Sequence, residues 1–168
     1  SNHPPYVIPP YFHPHSDVLE EQIVEYADWS IRQFMQAAEK QPWFDNTIFV
    51  FLGDHGKMVG TPECEMPQSY NHIPLMIYGK DIKPGVYDGF GGQVDVSPTL
   101  LGLLNISYLQ NNFGVNLLEE ERPCMFFTAD NLIGARDSVN MFIYSPDSQQ
   151  EFKYKLEEGK LRAATGTD

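Results

Sequence analysis

The stretch Thr47-Ile48-Phe49-Val50-Phe51-Leu52 runs straight into Gly53-Asp54-His55-Gly56. Its first six residues are apolar or β-branched with no polar alternation, the pattern of a strand covered on both faces. The glycines then let the backbone turn sharply. In open α/β sheets, ligands bind outside the carboxyl ends of the strands. A carboxylate and an imidazole side by side at such an end can face one divalent cation. Asp supplies oxygen and His supplies nitrogen, a donor mix suited to Zn²⁺ or Mn²⁺ rather than Ca²⁺. The competing reading is an Asx-type turn carrying a solvated histidine.

Outward from this stretch the chain alternates helix and strand. Upstream, Asp17 and Glu20 have capping-box spacing, and Ile23, Ala27, Ile31, Phe34 and Ala38 recur at helical intervals until Pro42. Before them, Pro4, Pro5, Pro9, Pro10 and Pro14 mark an extended lead-in. Downstream, residues 57–72 form a polar loop longer than a turn needs. Ile73-Pro74-Leu75-Met76-Ile77-Tyr78 reads as a second apolar strand. Ser97 as N-cap with Pro98 at the first helical position opens a helix running to Leu104. Cys124–Thr128 reads as a further strand. Phe152, Tyr154 and Leu156 alternate with Lys153 and Lys155 before Glu158-Gly159, the pattern of a half-exposed hairpin.

This order predicts an α/β fold: part of a doubly wound, mainly parallel sheet with flanking helices over residues 1–140, and a small antiparallel hairpin appendage over 141–168.

Composition narrows the function. Eleven Lys and Arg against 23 Asp and Glu give a net charge of −12. That excludes a nucleic-acid backbone binder and docking on an anionic membrane surface. No apolar run reaches the roughly 18 residues a membrane span needs. The start, Ser1-Asn2-His3, carries neither a signal-peptide pattern nor an initiator Met, so a cut or processed chain is expected. Cys64 and Cys124 fit either one disulfide or two small buried thiols.

Beyond these local readings, the stretch from Tyr26-Ala27-Asp28-Trp29 through Gly56 resembles the catalytic domain of sulfatase-like enzymes of the alkaline phosphatase superfamily, in particular the lipoteichoic acid synthase and phosphoglycerol transferase branch. Ser1–Tyr6, Asn71–Tyr78 and Val94–Leu101 resemble it too, in the same order, so the likeness covers about residues 1–106. It implies that Asp54 and His55 are metal ligands and that His3 contacts the substrate phosphate. His72, ahead of the second strand, is a further substrate-binding candidate. The implied ion is Mn²⁺, with Zn²⁺ or Mg²⁺ as alternatives, held weakly or not at all by this piece alone. The implied substrate is a lipid head group or an envelope glycan. The parent is then a membrane protein that presents this domain outside the cytoplasm.

The resemblance also marks what is missing. The nucleophile of such enzymes lies beside an acidic metal ligand upstream of the segment matching Ser1. No Cys-x-Pro-x-Arg signature occurs here. The chain is therefore expected to be the C-terminal portion of a catalytic domain, with no catalytic nucleophile of its own and with the N-terminal half as its partner. Two-metal relatives carry Asp and His four residues apart on the helix before the site. Asp28 is instead followed by Arg32, which is not a metal ligand, so an ion pair is expected. A sulfatase, a phosphoethanolamine transferase and a non-catalytic binding module are the alternatives. His13 and His15 read as solvated, Asp95 and Ser97 as turn and cap residues, Glu119–Glu121 as a solvated face, and Trp29 and Trp43 as packing.

Overall fold

The computed structural model describes residues 4–58 and 60–164. Helix α1 spans Leu19–Ala38, a short 3₁₀ turn follows at Phe44–Asn46, and strand β1 spans Phe49–Leu52. Next come α2 (Gln68–Asn71), β2 (Leu75–Tyr78) and α3 (Gln93–Leu103). The remaining strands are β3 (Met125–Ala129), β4 (Leu132–Arg136), β5 (Asn140–Ser145), β6 (Gln150–Glu157) and β7 (Lys160–Ala163). The chain divides into two compact units. One holds the residues up to Val50 with Ile77–Ile82, the other Phe51–Met76 with the chain from Lys83 onward.

In the first unit the proline-rich lead-in is fastened to α1. The rings of Tyr11 and Phe12 pack on Tyr26 and Trp29, and the Tyr26 and Trp29 rings stack 5.9 Å apart. The Glu25 carboxylate accepts the main-chain N–H of His15 at 2.6 Å and of Ser16 at 2.9 Å. The His15 bond in particular holds the Glu25 carboxyl below its ordinary pKa. The His15 ring is solvated, as expected, with its Nδ1 3.3 Å from Glu25 Oε2. Asp17 and Glu20 do not close a capping box. Val18 occupies the N-cap without a side-chain bond, and Ser16 Oγ instead accepts the Val18 N–H and donates to Glu21. Phe34, Trp43 and Phe44 gather on the buried ring of Phe49, which also meets Tyr78.

Strands β1 and β2 pair in a two-stranded sheet. The Gly53 N–H, just past β1, donates to Pro74 O, just before β2, at 3.3 Å. Phe49 at the start of β1 meets Tyr78 at the end of β2. The pair therefore runs antiparallel. The apolar run is less covered than its sequence suggests: Leu52 is 42 % exposed and Met76 53 % exposed among the described residues.

In the second unit α3 starts a turn earlier than Ser97-Pro98 indicates. Gly92 is the N-cap, and the Asp95 carboxylate reaches back to its N–H at 2.8 Å. Pro98 thus sits inside the helix, where it cannot donate to Val94 O. The Gly114 backbone packs against that carbonyl, so closely that a Cβ there would overlap it. Asp95 is fully buried.

Strands β3 to β7 form an antiparallel meander in chain order. The sheet begins at Met125, ahead of the 141 where the sequence places its appendage, because β3 and β4 pair with each other and then with β5. Two-residue turns at Asp130-Asn131 and Glu158-Gly159, all with positive φ, make the β3–β4 and β6–β7 hairpins. In β6, Phe152, Tyr154 and Leu156 face inward and Lys153 and Lys155 outward, as their alternation indicates. The buried centre is Met66, Met141 and Ile143, flanked by Phe127, Phe152 and Leu161. Met66 comes from the loop after Gly53–Gly56, so that loop is rooted in the sheet.

Candidate active-site loop

The Gly53–Gly56 loop is held by backbone bonds at both ends and by a side chain from α3. Beyond the Gly53 bond to Pro74, the Gly56 N–H donates to Tyr70 O at 2.8 Å. A Cβ on Gly56 would overlap Ser69 O, so only glycine admits this approach to α2. Gln93 Nε2 donates to Gly53 O at 3.1 Å and to Asp54 O at 2.8 Å.

Within that frame Asp54 Oδ1 accepts the His55 N–H at 2.9 Å. His55 Nδ1 lies 2.7 Å from Gly56 O. A carbonyl only accepts, so Nδ1 carries the proton and the neutral ring has its lone pair on Nε2. Nε2 in turn lies 3.8 Å from Asp54 Oδ2. Two donors bound to one ion at about 2.1 Å each are at most about 4.2 Å apart, so this pair fits a shared cation. The donor types and the tautomer fit a transition-metal ion. Among the described residues no group of three His, Cys, Asp or Glu converges in that way, so two donors are what this loop provides.

The other candidates separate. His72 is the exposed C-cap of α2, its N–H donating to Gln68 O at 2.9 Å, and it joins no ligand cluster with Asp54 and His55. His3 lies outside the described residues. Asp28 Oδ2 is 3.6 Å from Arg32 Nη2, the ion pair its spacing indicates. Cys64 and Cys124 are both free thiols. Cys64 donates to Met66 O at 3.0 Å, and burial raises its pKa.

Three residues matter here beyond the roles that sequence reasoning gives them. Gln93 is one, and no local pattern marks it. Asp95 is the second. It accepts both Arg122 Nε (2.9 Å) and Nη2 (2.5 Å), together with the Val115 and Gly92 N–H groups. Burial alone would raise its carboxyl pKa, but the guanidinium and the two amides outweigh burial and hold it low. A charge between two valines in an apolar helix was the available signal. Arg136, the last residue of β4, is the third. It donates Nη1 to Gln68 Oε1 on α2.

Known proteins share this sequence and fold. The sulfatase family model matches residues 2–106. The chain is 28 % identical over 156 residues to lipoteichoic acid synthase 1 of Bacillus subtilis (strain 168), covering 84 % of this chain and 24 % of that relative. It is 29 % identical over 121 residues to choline-sulfatase of Rhizobium meliloti (strain 1021), covering 64 % of this chain and 22 % of the relative. It thus spans about a quarter of the length of these relatives. A solved structure of a protein in the alkaline phosphatase superfamily from Vibrio parahaemolyticus superposes with a TM-score of 0.83 at 24 % identity, over 99 % of this chain and 42 % of that one. That likeness carries the fold.

Proposed function

The chain belongs to the sulfatase family, and we propose that it is the C-terminal part of the catalytic domain of a metal-dependent enzyme that transfers phosphoglycerol-type groups from lipid head groups. The observation that carries this reading is the Asp54 Oδ2–His55 Nε2 pair, 3.8 Å apart, with Nδ1 turned to Gly56 O. These two atoms would hold the ion, Mn²⁺ first and Zn²⁺ or Mg²⁺ as alternatives. Such an ion, when bound, lowers the pKa of a nucleophile and stabilises charge on phosphoryl oxygens. Gln93 and the Gly56–Tyr70 bond keep the two donors in place. His3 and His72 are assigned to the substrate phosphate.

The nucleophile and the remaining ligands are assigned to an upstream half. Two facts support that assignment: the chain covers only 24 % of lipoteichoic acid synthase 1, and β1 and β2 leave Leu52 and Met76 half exposed. Burying such side chains is worth about 1.5–3 kcal/mol each, a gain a covering segment collects. The parent is assigned to a membrane with this domain outside the cytoplasm; no described helix is long and apolar enough to cross one.

The test uses the longer protein with its upstream half. Mn²⁺-dependent release of diacylglycerol from a phosphoglycerol lipid, abolished by Asp54→Ala and His55→Ala, is the expected result. Release that is indifferent to both substitutions overturns the site. A second reading, a sulfate ester hydrolase, is favoured by the choline-sulfatase match. Sulfate ester turnover without lipid turnover in the same protein selects it.

A further inference from the structure

Among the described residues Arg136 stands without an ion-pair partner, in a chain that carries 23 acidic residues. Arg32, Lys80, Arg122, Lys153 and Arg162 each pair with a carboxylate. Among the described residues Arg136 forms no ion pair; its head meets Gln68 Oε1, and the Phe90 ring lies 5.9 Å from its Cζ. Its Nε is buried and donates to nothing among the described residues. Among the described residues Asn71 Nδ2 is the other buried donor without an acceptor. Gln68 and Asn71 are three apart in α2, hence on one side of that turn. Arg136 is bonded to the first of them, so the α2 turn that carries Asn71 also carries the partner of Arg136. An unmet buried donor is costly, and more so when it is charged. Neither donor has an acceptor among the described residues, although the Glu63 carboxylate stands at the N–H of Gln68.

We propose that Arg136 and Asn71, braced by Gln68, bind a tetrahedral oxyanion, a phosphate or sulfate group of the substrate other than the one that reacts. The Gly56–Tyr70 bond ties the same α2 turn to the Asp54-His55 loop, so a ligand held here adjoins that loop's support. Guanidinium forks match such oxygens in pairs, and the neutral brace leaves the charge available. Naming a substrate group rests on the proposed function; the binding itself does not.

The probe is inorganic phosphate, and separately inorganic sulfate, titrated calorimetrically into the full 168-residue chain with EDTA present. The unsubstituted chain binds one equivalent of at least one of them. Arg136→Gln weakens binding by about tenfold or more, and Arg136→Lys by less, since it keeps charge but loses the fork. Asn71→Leu weakens it by a few fold, and Asp54→Ala leaves it unchanged. Thermal melts check that each variant is folded, and Arg136→Lys serves if Arg136→Gln is not. Tighter phosphate or tighter sulfate binding both support the site and report the ester class. Absence of binding, binding unaffected by both Arg136 variants, loss in Asp54→Ala, or equal affinity for acetate each overturns it. Failure here with metal-dependent turnover intact in the longer protein removes this site alone; the reverse outcome removes the proposed function alone.

Discussion

The side-chain amide of Gln93 donates to the main-chain carbonyl of Asp54 at 2.8 Å, and to that of Gly53 at 3.1 Å. The first residue of α3 thereby fixes the backbone from which the Asp54 carboxylate and the His55 imidazole project. Gln93→Leu leaves both carbonyls without this donor and lets the loop turn. The expected outcome is a loss of about 1–2 kcal/mol in urea unfolding, one net hydrogen bond or slightly more. In the longer protein, Mn²⁺ affinity should fall several-fold, and Gln93→Asn should recover neither property because its amide falls one methylene short. Unchanged metal affinity in Gln93→Leu would limit the residue to a structural role.

The Asp95–Arg122 pair should dominate the acid stability of the second unit. Its carboxyl pKa is lowered in the folded state, so the stabilisation is present above the ordinary carboxylate range and is lost as pH falls through the depressed value. Urea midpoints should therefore decline on acidification below about pH 4. Arg122→Ala leaves a buried carboxylate unpaired and should cost about 3–5 kcal/mol at neutral pH. Asp95→Asn should flatten the acid limb of the profile. A profile identical to that of the parent chain would show that other carboxylates control it.

Alone, the 168 residues should bind Mn²⁺ and Zn²⁺ weakly. Zinc sites take three or four protein ligands, and Asp54 and His55 supply two. Calorimetry should show shallow, unsaturated isotherms, and neither phosphodiester nor sulfate ester should turn over. Tight binding that disappears in Asp54→Ala would reveal a further ligand among these residues, with His72 the first to substitute.

Met66→Ala should unfold more than a loop. Met66 is buried with Met141 and Ile143 at the centre of the five-stranded sheet. Truncation should cost about 2–5 kcal/mol. Hydrogen exchange should show the loss of protection in β5 and β6 together with residues 63–72. Loss confined to the loop would separate it from the sheet.

The loop and its strand were legible because both signals are local: an unbroken apolar run, then two glycines around Asp54-His55. The long helix was legible from its period, although its start was not, since Ser16 and Val18 do the work expected of Asp17. Where the reading went astray, distant partners decided. Ser97-Pro98 has the composition of a helix start, yet Asp95 caps Gly92 one turn earlier, and the carbonyl that Pro98 cannot bond is met by Gly114. The Asp95–Arg122 pair joins positions 27 apart, and the Arg136–Gln68 bond positions 68 apart, separations that carry no periodic trace. Cys124–Thr128 reads as a strand from its composition, but a local run does not name its partner; its place in the meander follows from pairing with β4.

The sheet's hold on the segment after His55 has a kinetic side. Met66 is inserted in the sheet core, Tyr154 donates to Glu65, and Arg136 donates to Gln68. An untethered surface loop swings in nanoseconds to microseconds, but a segment anchored at these points can leave only when the strands beneath it part. Residues 65–68 therefore open on the timescale of the sheet, not on that of a free loop. A ligand that reaches them meets a wall rather than a door.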